Sequence, residues 1–148
     1  MNKKYGIVLT LIFTCILAVF SQTSLVNKYL TAANTEYSVR NNEKAYTYIN
    51  IVLDQYSEEE IPDNVLLLAE AIYFDYLNDV KKAENNKAFQ DIQQSLINYP
   101  YLAGNRLNKQ INSVTNFFLG KAKAEEAAIA QTNAEKELVR AQELVKND

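Results

Sequence analysis

The sequence predicts an all-α protein, and three observations support this prediction. Only two of its 148 residues are proline and three are glycine, so the residues that most often interrupt helices are scarce. Apolar residues recur at intervals of three and four, which places them on one face of a helix. No segment alternates apolar and polar residues as a half-buried strand would. We therefore expect a core formed by helices packed on one another.

An apolar segment behind two lysines opens the chain. Residues 5–20 carry no charge, and Lys3 and Lys4 precede them. As a helix this run would be about 24 Å long, slightly shorter than a bilayer core. Residues 1–21 fit a signal peptide cleaved after Ser21, and they also fit an uncleaved N-terminal membrane anchor. Both interpretations place the rest of the chain on the periplasmic side of a bacterial inner membrane, because the lysines stay in the cytoplasm.

Two amphipathic helices with a short connection follow this segment. We expect the first over Leu25–Val39 and the second over Glu43–Tyr56. Each is apolar on one side and only Arg40–Asn42 separate them, so they are predicted to form an antiparallel hairpin. The apolar stripes are Val26, Tyr29, Leu30, Ala33 and Tyr37 in the first helix, and Ala45, Tyr48, Ile49, Val52, Leu53 and Tyr56 in the second.

An acidic run and Pro62 precede the third predicted helix, Asp63–Glu84. The negative charges of Glu58–Glu60 lie before the positive N-terminal end of that helix and are expected to stabilise it. A calcium-binding loop is the other interpretation of such a run, but it would need a glycine and spaced oxygen ligands. The third helix is apolar around most of its circumference. Its polar residues form one narrow stripe near Asp75, Asn78 and Lys82. Such a helix must be buried on several sides, so we expect it at the centre, between the second and fourth helices.

The fourth predicted helix, Lys87–Pro100, ends at a proline, which has no amide hydrogen and cannot continue a helix. Small, aromatic and aliphatic residues occur along it at helical spacing, followed by the proline: Ala88, Phe89, Ile92, Ser95, Leu96 and Pro100. This pattern resembles the second helix of a tetratricopeptide repeat. The segment Ala33–Leu53 is similar to a whole repeat. Its matching residues are Ala33 and Tyr37 in the first helix and Ala45, Ile49, Val52 and Leu53 in the second.

The resemblance covers roughly half of the chain and has departures. No glycine lies at the turn between paired helices, and Ala69 and Ala88 are farther apart than the repeat allows. It implies a tetratricopeptide-like right-handed stack of antiparallel hairpins over residues 25–119, with a plain helical bundle as the alternative. In that family the first helix of each unit lines the partner groove. Here the resemblance implies a groove of Leu30, Asn34, Tyr37, Glu70 and Tyr73.

A fifth helix is predicted from near Asn105, and it has no stop signal before a charged, alanine-rich tail over residues 120–148. One register of the tail alternates by three and four: Phe117, Gly120, Ala124, Ala127, Gln131, Ala134, Leu138, Ala141 and Val145. This seam predicts a coiled coil, and a weak one because alanine buries little area. The alternative is a solvated single helix stabilised by alanine propensity and charge pairs.

Residue types that most catalytic and metal sites require are scarce. The chain has no histidine, and its single cysteine, Cys15, lies in the apolar segment. This excludes a Cys–His nucleophile pair, a zinc cluster of these residues and an intramolecular disulfide. No glycine-rich phosphate loop is present either. We therefore expect no enzymatic activity, no metal and no cofactor.

The net charge of −3 argues against nucleic acid as a partner, since binding it requires a basic surface. The layout resembles helical-repeat proteins of the bacterial cell envelope. It implies an adaptor that binds other envelope proteins, the membrane through its N-terminal helix, and a second copy through its tail. Two alternatives stay open: a membrane-tethered stalk that oligomerises through the tail, and a sensor-type helical bundle from a longer protein.

Overall fold

A computed structural model describes residues 24–146 of the chain, with side-chain surroundings up to residue 143. All regular structure in this range is helical, which confirms the predicted all-α class. The α-helices are α1 (residues 24–38), α2 (Asn42–Leu53), α3 (Asp63–Lys82), α4 (Asn86–Asn98) and α5 (Asn105–Lys146). Short 3-10 turns occupy Glu58–Glu60 and Pro100–Leu102. The predicted signal peptide or anchor lies outside the described residues.

The ends of α2 and α3 differ slightly from the prediction, since α2 ends at Leu53 and α3 at Lys82. The second helix ends at Leu53 because the next amides, those of Gln55 and Tyr56, bond carbonyls three residues back and close a turn. Tyr56 therefore lies in this turn. α3 begins at Asp63 as predicted, directly after Pro62, whose backbone is extended (ψ 141°).

α3 is the central helix, as predicted. It contacts α2, α4 and α5, and its buried residues point to several sides. The large side chains that solvent barely reaches come from every one of these helices and the turn before α5: Ile49, Val52, Leu53, Val65, Ile72, Tyr73, Leu77, Ile92, Leu102, Leu107 and Val114. Burying this much apolar surface is the main force holding the helices together.

Side-chain contacts give the relative directions of the helices. Contacts between α3 and α5 advance together along both helices, so these two run in the same direction. The pairs are Phe74 with Arg106, Asn78 with Gln110, Lys81 with Ser113 and Glu84 with Lys121. In the same way Tyr46 bonds Ser95 and Tyr99 bonds Asn50, so α2 and α4 are parallel to each other. Both α2 and α4 pack on α3, and α4 also meets α5 where Phe89 stacks on Phe118.

The turns after α1 and α3 use a left-handed residue that is not glycine. Arg40 has φ 61° and Glu84 has φ 55°. At the first turn, the amide of Asn41 bonds the carbonyl of Glu36 and the amide of Arg40 bonds that of Tyr37. The second turn repeats this pair of bonds around Glu84. This is the Schellman arrangement, in which glycine is usual because it adopts positive φ without strain. Because Arg40 and Glu84 take the positions where glycine is usual, the sequence has no glycine at these two turns.

We expect Arg40→Gly to raise the free energy of unfolding by about 0.5–1 kcal/mol, because glycine relieves the strain at positive φ. Urea denaturation followed by circular dichroism measures the change. Arg40→Ala is the control, since it removes the same charge and keeps the Cβ. An equal gain from Arg40→Ala would mean that charge removal, not backbone strain, is responsible.

α5 leaves the helical body partway along its length. Phe118 still stacks on Phe89 with ring centroids 5.2 Å apart, and Lys121 forms an ion pair with Glu84. From residue 122 to residue 143 every side chain is exposed. Of the helices that the structure describes, none combines the length and apolar character that crossing a bilayer requires.

Candidate partner-binding cleft

A polar cleft lies where the end of α1 and the start of α2 meet the second half of α3. Its volume is about 730 Å³. The residues that line it are Tyr37, Ser38, Arg40, Asn42, Asp75, Asn78, Asp79 and Lys82. The cleft therefore combines hydroxyl, amide, carboxylate and cationic groups.

Helical spacing explains the floor of this cleft. Asn78 and Asp79 lie three and four residues after Asp75, and Lys82 lies four and three residues after them, so all four share one face of α3. The other faces of α3 are apolar and are covered by neighbouring helices. The left-handed turn after α1 then brings Arg40 to the rim, with Asn42 at the start of α2 beside it.

Both carboxylates of the cleft accept a hydrogen bond from a neighbouring helix. The Tyr37 hydroxyl donates to Asp75 Oδ2 at 2.8 Å, and the Asn42 amide donates to Asp79 Oδ2 at 2.6 Å. Burial and the Asp75 carboxylate raise the pKa of Tyr37, while the charge of Arg106 opposes them. The phenol therefore keeps its proton at neutral pH and holds Asp75 in a fixed orientation.

The two cations of the cleft are in a different situation. Arg40 and Lys82 are exposed, and within residues 24–143 neither side chain has a hydrogen bond or an ion pair. Their charges are therefore free to meet acidic groups of another molecule. Exposed ion pairs of this kind contribute only about 0.2–1 kcal/mol each, so they contribute more to the specificity of binding than to its affinity.

Of the five predicted groove residues, only Tyr37 lines the cleft. Leu30 packs partly against the core, and Asn34 is exposed one turn before Tyr37. Glu70 lies against the turn before α5, with its Oε1 3.6 Å from where a Cβ on Gly104 would be. The cleft therefore lies near the C-terminal ends of α1 and α3, farther along both helices than the other four predicted residues.

The prediction that Tyr73 lines a groove is wrong. Its side chain is fully buried, and its hydroxyl donates to Asn50 Oδ1 of α2 at 2.5 Å. Its ring meets that of Tyr46 edge to face, with centroids 5.0 Å apart. Tyr73 is thus part of the core between α3 and α2, on the side of α3 away from Asp75.

The sequence contained a signal for the true floor of the cleft. Asp75, Asn78 and Lys82 are the narrow polar stripe of an otherwise apolar helix. A polar stripe on a buried helix must face water, so it marks a cleft or an edge. The contribution of Arg40 and Asn42 had no comparable signal, because it depends on how α1 turns into α2.

A second depression lies between the ends of α2 and α4. Tyr99 donates its hydroxyl to Asp54, and burial together with this carboxylate raises the pKa of Tyr99. Ile97 beside it is 70% exposed. The residues around it are Leu53, Asp54, Tyr56, Glu58, Ile97, Asn98, Tyr99, Pro100 and Tyr101. The Tyr99 bond fastens the end of α4 to the end of α2.

The polar cleft suits recognition of another molecule by hydrogen bonds and charge. In the part of the chain that the structure describes, no three His, Cys, Asp or Glu residues are grouped to hold a metal ion. Comparison of the chain with models of protein families, with curated proteins and with solved structures gives no match.

Proposed function

We propose that the chain is a non-catalytic helical adaptor that binds another protein through the polar cleft. The observation that carries the proposal is the pair of exposed cations, Arg40 and Lys82, which have no partner among residues 24–143 and lie beside two carboxylates that are already hydrogen-bonded. A partner segment with acidic side chains would pair with the cations, and its polar groups would meet Asn78 and Ser38. The carboxylates repel a misplaced acid and so fix the register.

The helical arrangement supports the same role. The parallel pairs α3 with α5 and α2 with α4 are what a tetratricopeptide-like stack would contain, with α1, α3 and α5 as first helices. The cleft lies on the first-helix side, where partners bind in that family. We propose a location on the periplasmic side of a bacterial inner membrane. The support is the apolar segment behind Lys3 and Lys4 in the sequence.

Reversing both cleft cations tests the adaptor function. We expect Arg40→Glu with Lys82→Glu to reduce the amount of cross-linked partner recovered from intact cells by about tenfold, because each attractive pair becomes repulsive. The measurement is in-cell cross-linking followed by affinity purification and quantitative mass spectrometry.

Lys44→Glu with Lys87→Glu is the matched control. It makes the same change in net charge on exposed positions of α2 and α4 that line none of the clefts described above. Partner recovery that survives in the control and falls in the cleft variant supports the adaptor function. Equal recovery in both variants would remove the cleft as the binding site.

A second candidate function is a stalk that self-associates through the tail. The observation favouring it is the exposed half of α5, where Ile129, Leu138 and Val139 are each more than half exposed. Apolar side chains exposed along a solvated helix favour a partner that covers them. Sedimentation of the chain with and without residues 121–148 tests it. A concentration-dependent oligomer that the truncation abolishes supports the stalk, and a monomer in both cases contradicts it.

A further inference from the structure

The exposed half of α5 carries its charges in an order that selects how two copies would pair. We infer that two copies of this chain associate through antiparallel tails, with the twofold axis at the level of position 129, between Ala127 and Gln131 of the seam. This inference rests on the proposed self-association of the tail and adds its direction and register. In this arrangement, seam residues equidistant from position 129 lie opposite each other.

Side-chain size fits this register. The large seam residue of the exposed half, Leu138, would face a small one, Gly120 of the second copy. Leu138 is 61% exposed, and a Cβ added at Gly120 would meet nothing within 4 Å. Gly120 therefore offers an open place for a leucine side chain. A parallel pair would instead stack Gly120 on Gly120 and leave a gap in the seam.

Charge selects the same direction more strongly. Lys121 and Lys123 flank the seam in the first half of the tail, and Glu135 and Glu137 flank it in the second half. Lys121 and Glu135 each follow a seam residue, and Lys123 and Glu137 each precede one, so each pair lies on one side of the seam. In the antiparallel pair, Lys121 therefore comes within about one turn of Glu135 of the second copy, and Lys123 within about one turn of Glu137 of the second copy. The symmetry doubles both pairs. A parallel pair would bring the lysines of both copies to one level and the glutamates to another, which is repulsive.

The middle of the seam tolerates its polar residue. Gln131 Nε2 donates to Glu135 Oε1 of the same helix at 3.1 Å, so its amide nitrogen has a partner before any association. Opposite it in this register lies Ala127 of the second copy, which leaves room for the longer side chain. Because alanines bury little area, the association is weak and depends on the ion pairs at its flanks.

The end of α3 limits how far the second tail extends along α5. Lys81 of α3 bonds Ser113 and lies over the ring of Phe117, so these positions of α5 already have a neighbour. Pairing between the two tails therefore begins at Gly120, and every side chain from residue 122 to residue 143 is exposed. Lys121 already pairs with Glu84, yet 39% of its side chain remains exposed. Lys123 lies two residues farther along α5 and is exposed, so it is the better residue to test.

Cysteine cross-linking determines the direction. In a full-length Cys15→Ser background, Gly120→Cys and Leu138→Cys are made as separate proteins with different tags. We expect mild oxidation of the mixture to give mainly the mixed disulfide, since positions 120 and 138 face each other. Leu138→Cys alone that cross-links as efficiently as the mixture would overturn the antiparallel arrangement and leave a parallel stalk standing. A monomer by sedimentation and no cross-link would overturn both.

Charge reversal tests the register. We expect Glu137→Lys to raise the dimer dissociation constant by about tenfold, because two attractive pairs become repulsive. Adding Lys123→Glu to the same chain restores attraction and returns the constant to within about twofold of the native value. Both residues are exposed, so helix content by circular dichroism should be unchanged. An unchanged or lower constant for Glu137→Lys, or a double variant as weak as the single one, would overturn this register.

Discussion

Leu77→Ala is expected to lower the free energy of unfolding by about 3 kcal/mol. Leu77 is fully buried in α3, the helix on which α2, α4 and α5 all pack. Truncating it removes apolar burial and leaves a cavity that three neighbouring helices cannot all close. Urea unfolding of the chain, followed by circular dichroism, gives the loss as a shift of the midpoint at constant slope.

Leu67→Ala is the matched control, because it is the same truncation on the same helix. Its side chain is 66% exposed, so the expected loss is below about 0.5 kcal/mol. The difference between the two variants measures burial alone, since the helix propensity of leucine and alanine enters both equally. Similar losses in both would contradict the placement of Leu77 in the core.

The central position of α3 could be predicted because it depends on one property of one segment. Val65, Ala69, Ile72 and Leu77 cover several sides of a single helix, and only burial on those sides removes them from water. The positions of helix ends were less predictable. They depend on turns such as those at Arg40 and Glu84, where a residue other than glycine adopts positive φ. No residue type marks such a turn in the sequence.

The error at Tyr73 has a simple geometric cause. Residues two apart on a helix differ by about 200° in direction, so Tyr73 and Asp75 cannot face the same cleft. The resemblance to a repeat assigned Tyr73 to the groove, whereas the polar stripe with Asp75 pointed to the opposite side. The local pattern was the better guide. It did not identify Tyr37 as the donor to Asp75, because the two are 38 residues apart in sequence.

Raising the pH above 10 is expected to destabilise the folded chain steeply. Tyr73 is fully buried and Tyr99 is only 8% exposed, and burial is the main cause that raises the pKa of each phenol above its ordinary value of 10. The Asp54 carboxylate adds to the effect at Tyr99. The unfolded chain releases these protons near pH 10, and the folded chain retains them to higher pH. Stability from both groups is therefore complete below pH 10 and falls as the pH rises.

At pH 11 each of these two phenols contributes a loss of about 1.4 kcal/mol, since the unfolded state then gains free energy from one deprotonation with a pKa near 10. Together they lower the free energy of unfolding by about 3 kcal/mol relative to pH 8. Three further tyrosines have raised pKa values and act in the same direction: Tyr37, Tyr76 and Tyr101. Urea unfolding at pH 8, 10 and 11 measures the slope.

Tyr73→Phe separates the titration from the packing. The variant is less stable at pH 8, because Asn50 Oδ1 loses the donor at 2.5 Å. Its further loss of unfolding free energy between pH 8 and pH 11 should be smaller than that of the native chain by about 1.4 kcal/mol, because phenylalanine has no phenol proton to lose. A variant with the same pH dependence as the native chain would mean that Tyr73 ionises as easily folded as unfolded. That result would contradict the enclosure of this phenol between α2 and α3.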